Sequence, residues 1–190
     1  MIGRCDVRTF IALELNEETK SYIKKISGAL EKYVNGNYIS DINVHMTMNF
    51  LGELQLDRIK EIREIMDHAQ EKCGVCDISL QKLIVMQRGE LIAVTVKLNE
   101  SVRNLYTVLT GQLSARGFVT EDRAFKPHVT LVRKAVYEMP FREIVKCVPV
   151  YNRPQRTGKL TLFLSEMREK VRVYDELYSV TLQDKTDKTV

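Results

Sequence analysis

Two short segments, one in each half of the chain, limit most of what it can fold into. The first is Val44-His45-Met46-Thr47-Met48-Asn49-Phe50, and the second is Pro127-His128-Val129-Thr130-Leu131. Alternation of apolar and polar residues fits a half-buried strand, in which successive side chains leave opposite faces. On that reading Val44, Met46, Met48 and Phe50 point into a core, and His45 and Thr47 stand together on the other face. In the second segment Pro127, Val129 and Leu131 form the apolar face, while Lys126, His128 and Thr130 share the opposite one. Each strand offers an imidazole and a hydroxyl two residues apart, with its back in the core. The chain has 3 histidines, and two of them occupy this setting. A single such motif means little, because Thr is a good strand former and a lone His is most often a packed or solvated residue. The recurrence in both halves is the signal.

The remaining pattern frames these strands. Residues 7–15 read as a buried strand. Asn16 then caps a helix whose apolar positions are Tyr22, Ile26, Ala29 and Leu30, and Asn35-Gly36-Asn37 stops it. A second amphipathic helix is expected over about 56–72, with Ile59, Ile62, Ile65, Met66 and Ala69 as its stripe. Strand-like runs at 76–86 and 91–98 flank a turn at Gln87-Arg88-Gly89-Glu90. A third helix over 101–115 ends at Gly117, and a strand over 128–132 and a short helix near 141–147 follow. Two closing strands, 159–165 and 171–182, precede a polar tail at 183–190. The order, roughly βαβαββαβαββ, contains adjacent strand pairs as well as alternation. It predicts an α+β fold of mostly antiparallel sheet with helices packed outside, rather than a doubly wound parallel sheet. Strand–helix–strand occurs in each half and ends each time in the same motif, which suggests an internal duplication within one domain.

Composition sets the class. The chain has 190 residues, 44% hydrophobic and 28% charged, which suits one soluble globular domain. Its formal charge of +4 fits an anionic ligand without the clustered basicity of a nucleic-acid coat. No apolar run is long enough to span a membrane, and no leader is recognisable, so a cytoplasmic protein is expected. Its 4 cysteines are too few and scattered for a disulfide framework. Cys73-x-x-Cys76, with His68 nearby, invites a zinc reading. The second ligand pair is missing, however, since Cys5 and Cys147 stand alone. A helix ending at Gly74 fits that stretch better, and neither a metal nor a cofactor is expected. Trp is absent, so any surface that stacks on a base must use Phe, Tyr or Arg.

Two imidazoles titrating near neutrality allow one to be neutral while the other is charged. That is the requirement for concerted acid–base catalysis: one removes a proton from attacking water, and the other protonates a departing oxygen. Paired Thr hydroxyls can donate to the non-bridging oxygens of a phosphate that gains charge in the transition state. The scheme needs no metal and suits a strained cyclic phosphodiester.

On these residues the chain resembles the 2H phosphoesterases, and within them the RNA 2′,3′-cyclic phosphodiesterases, also called 2′-5′ RNA ligases. VRTFIALEL resembles the family's first strand, NVHMTMNFLGEL its first motif, FKPHVTLVR its second, and LTLFLSEMREKVRVYDELYSVTL its closing strand pair. The closing pair usually has a Gly shortly before its Tyr. Here Arg172-Val173-Tyr174 stands instead, a change expected to affect loop shape but not chemistry. The resemblance implies two lobes related by a pseudo-twofold axis about a cleft, with one motif from each lobe of a single domain over 1–190. It implies His45, Thr47, His128 and Thr130 as catalytic residues, with His45 as proton donor to the leaving 3′ oxygen and His128 as proton acceptor from water. The product is then a 2′-phosphate, with 2′-5′ ligation as the reverse reaction.

Lys126 and Arg133 are candidate phosphate ligands. Lys126 has the better strand parity, while alternation puts Arg133 with Leu131 unless the strand twists there. Arg123, Arg153 and Arg156 are loop cations that could follow a backbone, and Tyr38, Phe125 and Tyr151 could stack on a base. The expected partners are RNA ends or nucleotides bearing a 2′,3′-cyclic phosphate, with no membrane and no obligate protein partner, and a monomer is expected. Three alternatives stay open: a phosphodiesterase acting on another small cyclic nucleotide, one acting on a 2′-5′ oligonucleotide, and a binding module that has kept the fold without turnover.

Overall fold

A computed structural model of the chain describes residues 6–120, 124–169 and 171–185. The opening apolar run forms β1 (Asp6–Glu14), and α1 (Glu17–Leu30) follows at once. Asn16 caps that helix, its side-chain oxygen accepting from the Thr19 amide at 2.8 Å. The stop expected at Asn35-Gly36-Asn37 comes earlier. Those residues instead lie inside a strand, β2 (Val34–Tyr38), because their backbone finds ladder partners that local turn preference does not supply.

The chain continues through β3 (His45–Gln55) and α2 (Ile59–Lys72). The run expected at 76–86 is broken at Ser79 into β4 (Cys76–Ile78) and β5 (Leu80–Met86). β6 (Leu91–Val96), α3 (Glu100–Ala115) and β7 (His128–Tyr137) come next. Then follow α4 (Phe141–Cys147), β8 (Gln155–Thr157), β9 (Lys159–Arg168) and β10 (Val171–Thr181). Gln87 and Arg88, at the β5–β6 turn, take positive φ values of 50° and 56°, which closes that hairpin tightly.

The architecture is α+β and antiparallel. The main sheet runs β10-β9-β1-β3-β7-β6-β5, with β2 also paired to β7, and β4 and β8 form a separate ribbon. Within the main sheet, β3 and β7 register at Met46 opposite Val129. The sheet is therefore two four-stranded halves, β10-β9-β1-β3 and β5-β6-β7-β2, meeting at a narrow seam. The helices bury Ile23, Ile26 and Leu30 of α1, Ile62, Ile65 and Met66 of α2, and Leu105, Leu109 and Leu113 of α3. All of these join one apolar cluster with the inward residues of both half-sheets. Each such side chain contributes roughly 1.5–3 kcal/mol by leaving water.

The polar tail begins later than expected. The Gln183 carbonyl accepts from the Val75 amide at 3.2 Å, and Asp184 pairs with Arg156, so the backbone is still tied down through those positions. Residues 186–190 lie outside the described residues. Among the described residues, no helix is long and apolar enough to cross a membrane.

Candidate active site

Met46 and Val129 are fully buried and pair across the seam. Alternation about that pair turns His45, Thr47, His128 and Thr130 to the opposite face. All four line one cleft of about 580 Å³ between the half-sheets.

Just after each Thr the register slips by one residue. Between β1 and β3, Ala12 opposes Thr47 and Ile11 opposes Asn49, so Met48 is the extra residue. Between β6 and β7, Ala93 opposes Thr130 and Ile92 opposes Val132, so Leu131 is extra. A bulge of this kind reverses the alternation downstream of it. Two expectations change as a result. Phe50, read as a core residue, is 47% exposed and lines the cleft. Asn49 turns inward in its stead, its amide nitrogen donating to Thr110 Oγ1 at 3.0 Å. Arg133 likewise comes round to the His128 face and lines the cleft. Phe50 and Arg133 follow their histidines at the same interval, 45 to 50 and 128 to 133, so the two halves repeat the bulge as well as the motif.

β2 holds Arg133 from the far side. Asn37 opposes Arg133, and at Gly36 an added Cβ would meet Val132 Cγ1 at 2.7 Å and the Arg133 carbonyl at 2.9 Å. Glycine is what lets β2 approach so closely. The Arg133 Nε is buried and has no protein partner, so this guanidinium keeps a donor for an anion in the cleft.

The imidazoles are held alike. His45 Nδ1 lies 2.8 Å from the Asn43 carbonyl, and His128 Nδ1 lies 2.8 Å from the Lys126 carbonyl. A carbonyl only accepts, so Nδ1 carries a hydrogen in both rings and Nε2 is left to meet a ligand. No side chain performs this fixing, so residue identities give no sign of it.

Their surroundings differ. Phe10 stacks on His45 with centroids 4.9 Å apart, Tyr174 meets it edge-on at 5.3 Å, and the Phe163 ring lies at 6.0 Å. Burial pushes the His45 imidazole down to about 4; the Asn43 carbonyl raises it, Arg133 lowers it, and Glu14 and His128 exert weaker opposed effects. These aromatic neighbours escape sequence reading, since they become neighbours of His45 only through the β1–β3, β1–β9 and β9–β10 registers.

The cleft wall carries Arg8, Arg133 and Arg172, and no Asp or Glu lines it among the described residues. Arg172 corrects the expectation that the departure before Tyr174 affects only a turn. It lies within β10 and lines the cleft. Lys126 does not line this cleft. It borders an adjoining cavity of about 250 Å³ with Phe125, Tyr106 and His128. Phe125 stacks face to face on Tyr106 at 3.9 Å.

Other candidates lie apart from the cleft. The Tyr38 hydroxyl donates to the Val34 carbonyl, the Tyr151 amide donates to the Tyr22 hydroxyl, and Arg153 lies over the Tyr22 ring. Arg156 pairs with Asp184 and Asp77. Arg123 and Cys5 fall outside the described residues. Cys73 and Cys76 are buried free thiols, Cys73 accepting from Asn104 Nδ2 at 3.6 Å. Among the described residues, no group of three or more His, Cys, Asp or Glu is arranged to hold a metal ion.

No family model matches the chain. It is similar to the RNA 2′,3′-cyclic phosphodiesterase of Thermotoga maritima, 26% identical over 176 residues that cover 90% of this chain and 94% of that protein. A protein of the same name from Geobacillus stearothermophilus is 26% identical over 184 residues, 91% of this chain but 56% of that one, so the chain spans little over half its length. E. coli LigT in its apo form has the same fold, with a TM-score of 0.73 at 20% identity, covering 94% of this chain and 99% of that one. The paired His-x-Thr strands, the antiparallel α+β architecture and these relatives agree: the chain is similar, in sequence and in fold, to the LigT-like 2H phosphoesterases.

Proposed function

We propose that this phosphoesterase opens 2′,3′-cyclic phosphates at RNA ends or on nucleotides, giving a 2′-phosphate. The observation that carries the reading is the matched pair of imidazoles, each fixed at Nδ1 by a carbonyl two residues earlier, lining one cleft with both Thr hydroxyls. His128 Nε2 takes a proton from water as the water oxygen bonds to phosphorus. The P–O3′ bond breaks, and His45 Nε2 delivers its proton to O3′. Thr47 and Thr130 donate to the non-bridging oxygens, and Arg133, with its unpartnered Nε, balances their charge. Lys126 serves the adjoining cavity and the groups that extend beyond the phosphate. The same steps, with the 5′ hydroxyl of a second end held in place of water, would join two ends through a 2′-5′ bond as the P–O3′ bond breaks.

One observation favours the opposite division of roles. With its pKa lowered by burial to about 4, His45 is neutral at pH 7, which is the state of a base. For His45 to be the acid, the bound phosphate anion must raise it.

The test is hydrolysis of a nucleoside 2′,3′-cyclic phosphate by the wild type, His45→Ala and His128→Ala, with and without EDTA. Turnover to the 2′-phosphate should fall by at least about a hundredfold in each variant, in line with the loss of one acid–base partner. EDTA should leave the wild-type rate unchanged. Activity lost to EDTA and restored by a divalent ion contradicts the metal-free scheme, and a wild type inactive on mononucleotides and RNA ends alike favours another cyclic ester or a binding module. Repeating the assay with sulfur at the leaving 3′ position separates the roles. A thiolate departs unprotonated, so the variant lacking the acid recovers and the one lacking the base does not.

A further inference from the structure

The cleft, at about 580 Å³, has more room than one phosphate requires, and its cations fall into two groups. Arg133 on β7 is beside the reacting centre. Arg8 on β1 and Arg172 on β10 lie farther along the other half-sheet. Arg8 is two residues from Phe10, which stacks on His45, and Arg172 is two residues from Tyr174, which meets His45 edge-on. Residues two apart in a strand share a face and are separated by about 6.8 Å. Arg8 and Arg172 therefore sit one pleat repeat outside the aromatic group that surrounds the first imidazole, on the same face. Ser165, opposite Tyr174 on β9, lies between them and accepts from Arg172 Nη1 at 2.8 Å.

Their pairing sets them apart from the arginine next to them. Arg168, at the β9–β10 turn, is held by the carboxylates of Glu166 and Asp175. Among the described residues, Arg8 has no ion pair, the Arg172 guanidinium bonds only to Ser165, and no carboxylate lines the cleft. Glu53 opposes Arg8 across the β1–β3 ladder but makes no ion pair with it among the described residues, so both guanidinium groups keep planar N–H forks from which a phosphate can accept.

We infer that Arg8 and Arg172 form a second phosphate subsite, which takes the phosphate one nucleotide step from the cyclic ester and makes an RNA end or a 5′-phosphorylated nucleotide a better substrate than a bare nucleoside cyclic phosphate. This rests on the cyclic phosphodiesterase reading above. It also gives the departure before Tyr174 a role in substrate choice.

The experiment compares three substrates: a nucleoside 2′,3′-cyclic phosphate, the same compound with a 5′-phosphate, and a dinucleotide ending in the cyclic phosphate. Each is assayed with the wild type, Arg8→Gln, Arg172→Gln and Arg172→Lys. The readout is the ratio of kcat/KM for each two-phosphate substrate to that for the one-phosphate substrate. The wild-type ratio should exceed one and fall roughly ten- to a hundredfold in the Gln variants, the effect of a lost charge-assisted contact, with partial recovery in Arg172→Lys. A ratio that falls for both two-phosphate substrates means that a terminal phosphate suffices, and one that falls only for the dinucleotide identifies an RNA chain. Equal losses on all three substrates, or a wild type without preference, overturn the subsite while leaving the parent activity standing. A wild type that opens none of the three instead removes the parent reading.

Discussion

His45 shows how one residue can be tuned by what surrounds it. An imidazole in water titrates near 6.5. Among Phe10, Phe163 and Tyr174 its charged form loses solvation, and the folded value drops to about 4. Between those values the unfolded chain binds a proton that the native state does not. Stability therefore rises with pH across that window and is lost as pH falls from about 6.5 toward 4. The full effect is on the order of 3 kcal/mol, from the size of the shift. Urea titrations at pH 7 and pH 4.5 should show a smaller drop for His45→Gln than for the wild type. Equal drops would mean that this imidazole is not desolvated in the native state. The same local environment makes the ring's charge respond to an anion in the cleft, which is where its tuning meets chemistry.

At the scale of elements, the two bulges matter most. Without them, strict alternation would put Phe50 and Arg133 in the core. With Met48 and Leu131 as extra residues, both enter the cleft. On the second motif strand, β2 supports the bulged region through Gly36. Gly36→Ala brings a methyl against Val132 and the Arg133 carbonyl, at 2.7 and 2.9 Å. It should cost about 1–3 kcal/mol by overpacking, and activity measured well below the melting temperature should also fall as Arg133 shifts. Gly28→Ala is the contrast. That glycine lies inside α1 with nothing within 4 Å of an added Cβ, so the change should stabilise by about 0.5–1 kcal/mol, the helix preference for Ala. Chemical denaturation of the two variants checks both signs, and a neutral Gly36→Ala would show that β2 can move away from β7 at little cost. Helix caps, the helix stripes and the existence of both motif strands are readable locally because they depend on near neighbours. The bulges are not, since an extra residue is defined only against a partner strand.

For the whole molecule, the seam at Met46 and Val129 raises the question of whether the halves are independent. They register at a single pair, yet the inward residues of both half-sheets and of α1, α2 and α3 belong to one apolar cluster. Unfolding should therefore be a single transition, with far-ultraviolet circular dichroism and tyrosine fluorescence melting together. Two separated transitions would mark the half-sheets as separate folding units. The sequence by itself determined the α+β class, the two His-x-Thr strands and the four side chains at the centre of the cleft, because alternation about a buried strand is a local rule. Tertiary structure alone decided that Phe50, Arg133, Arg8 and Arg172 join them, that Lys126 borders a neighbouring cavity, and that one imidazole is pushed far below the usual range. Each of those outcomes depends on register between strands distant in sequence, and on burial, which no segment of the chain carries alone.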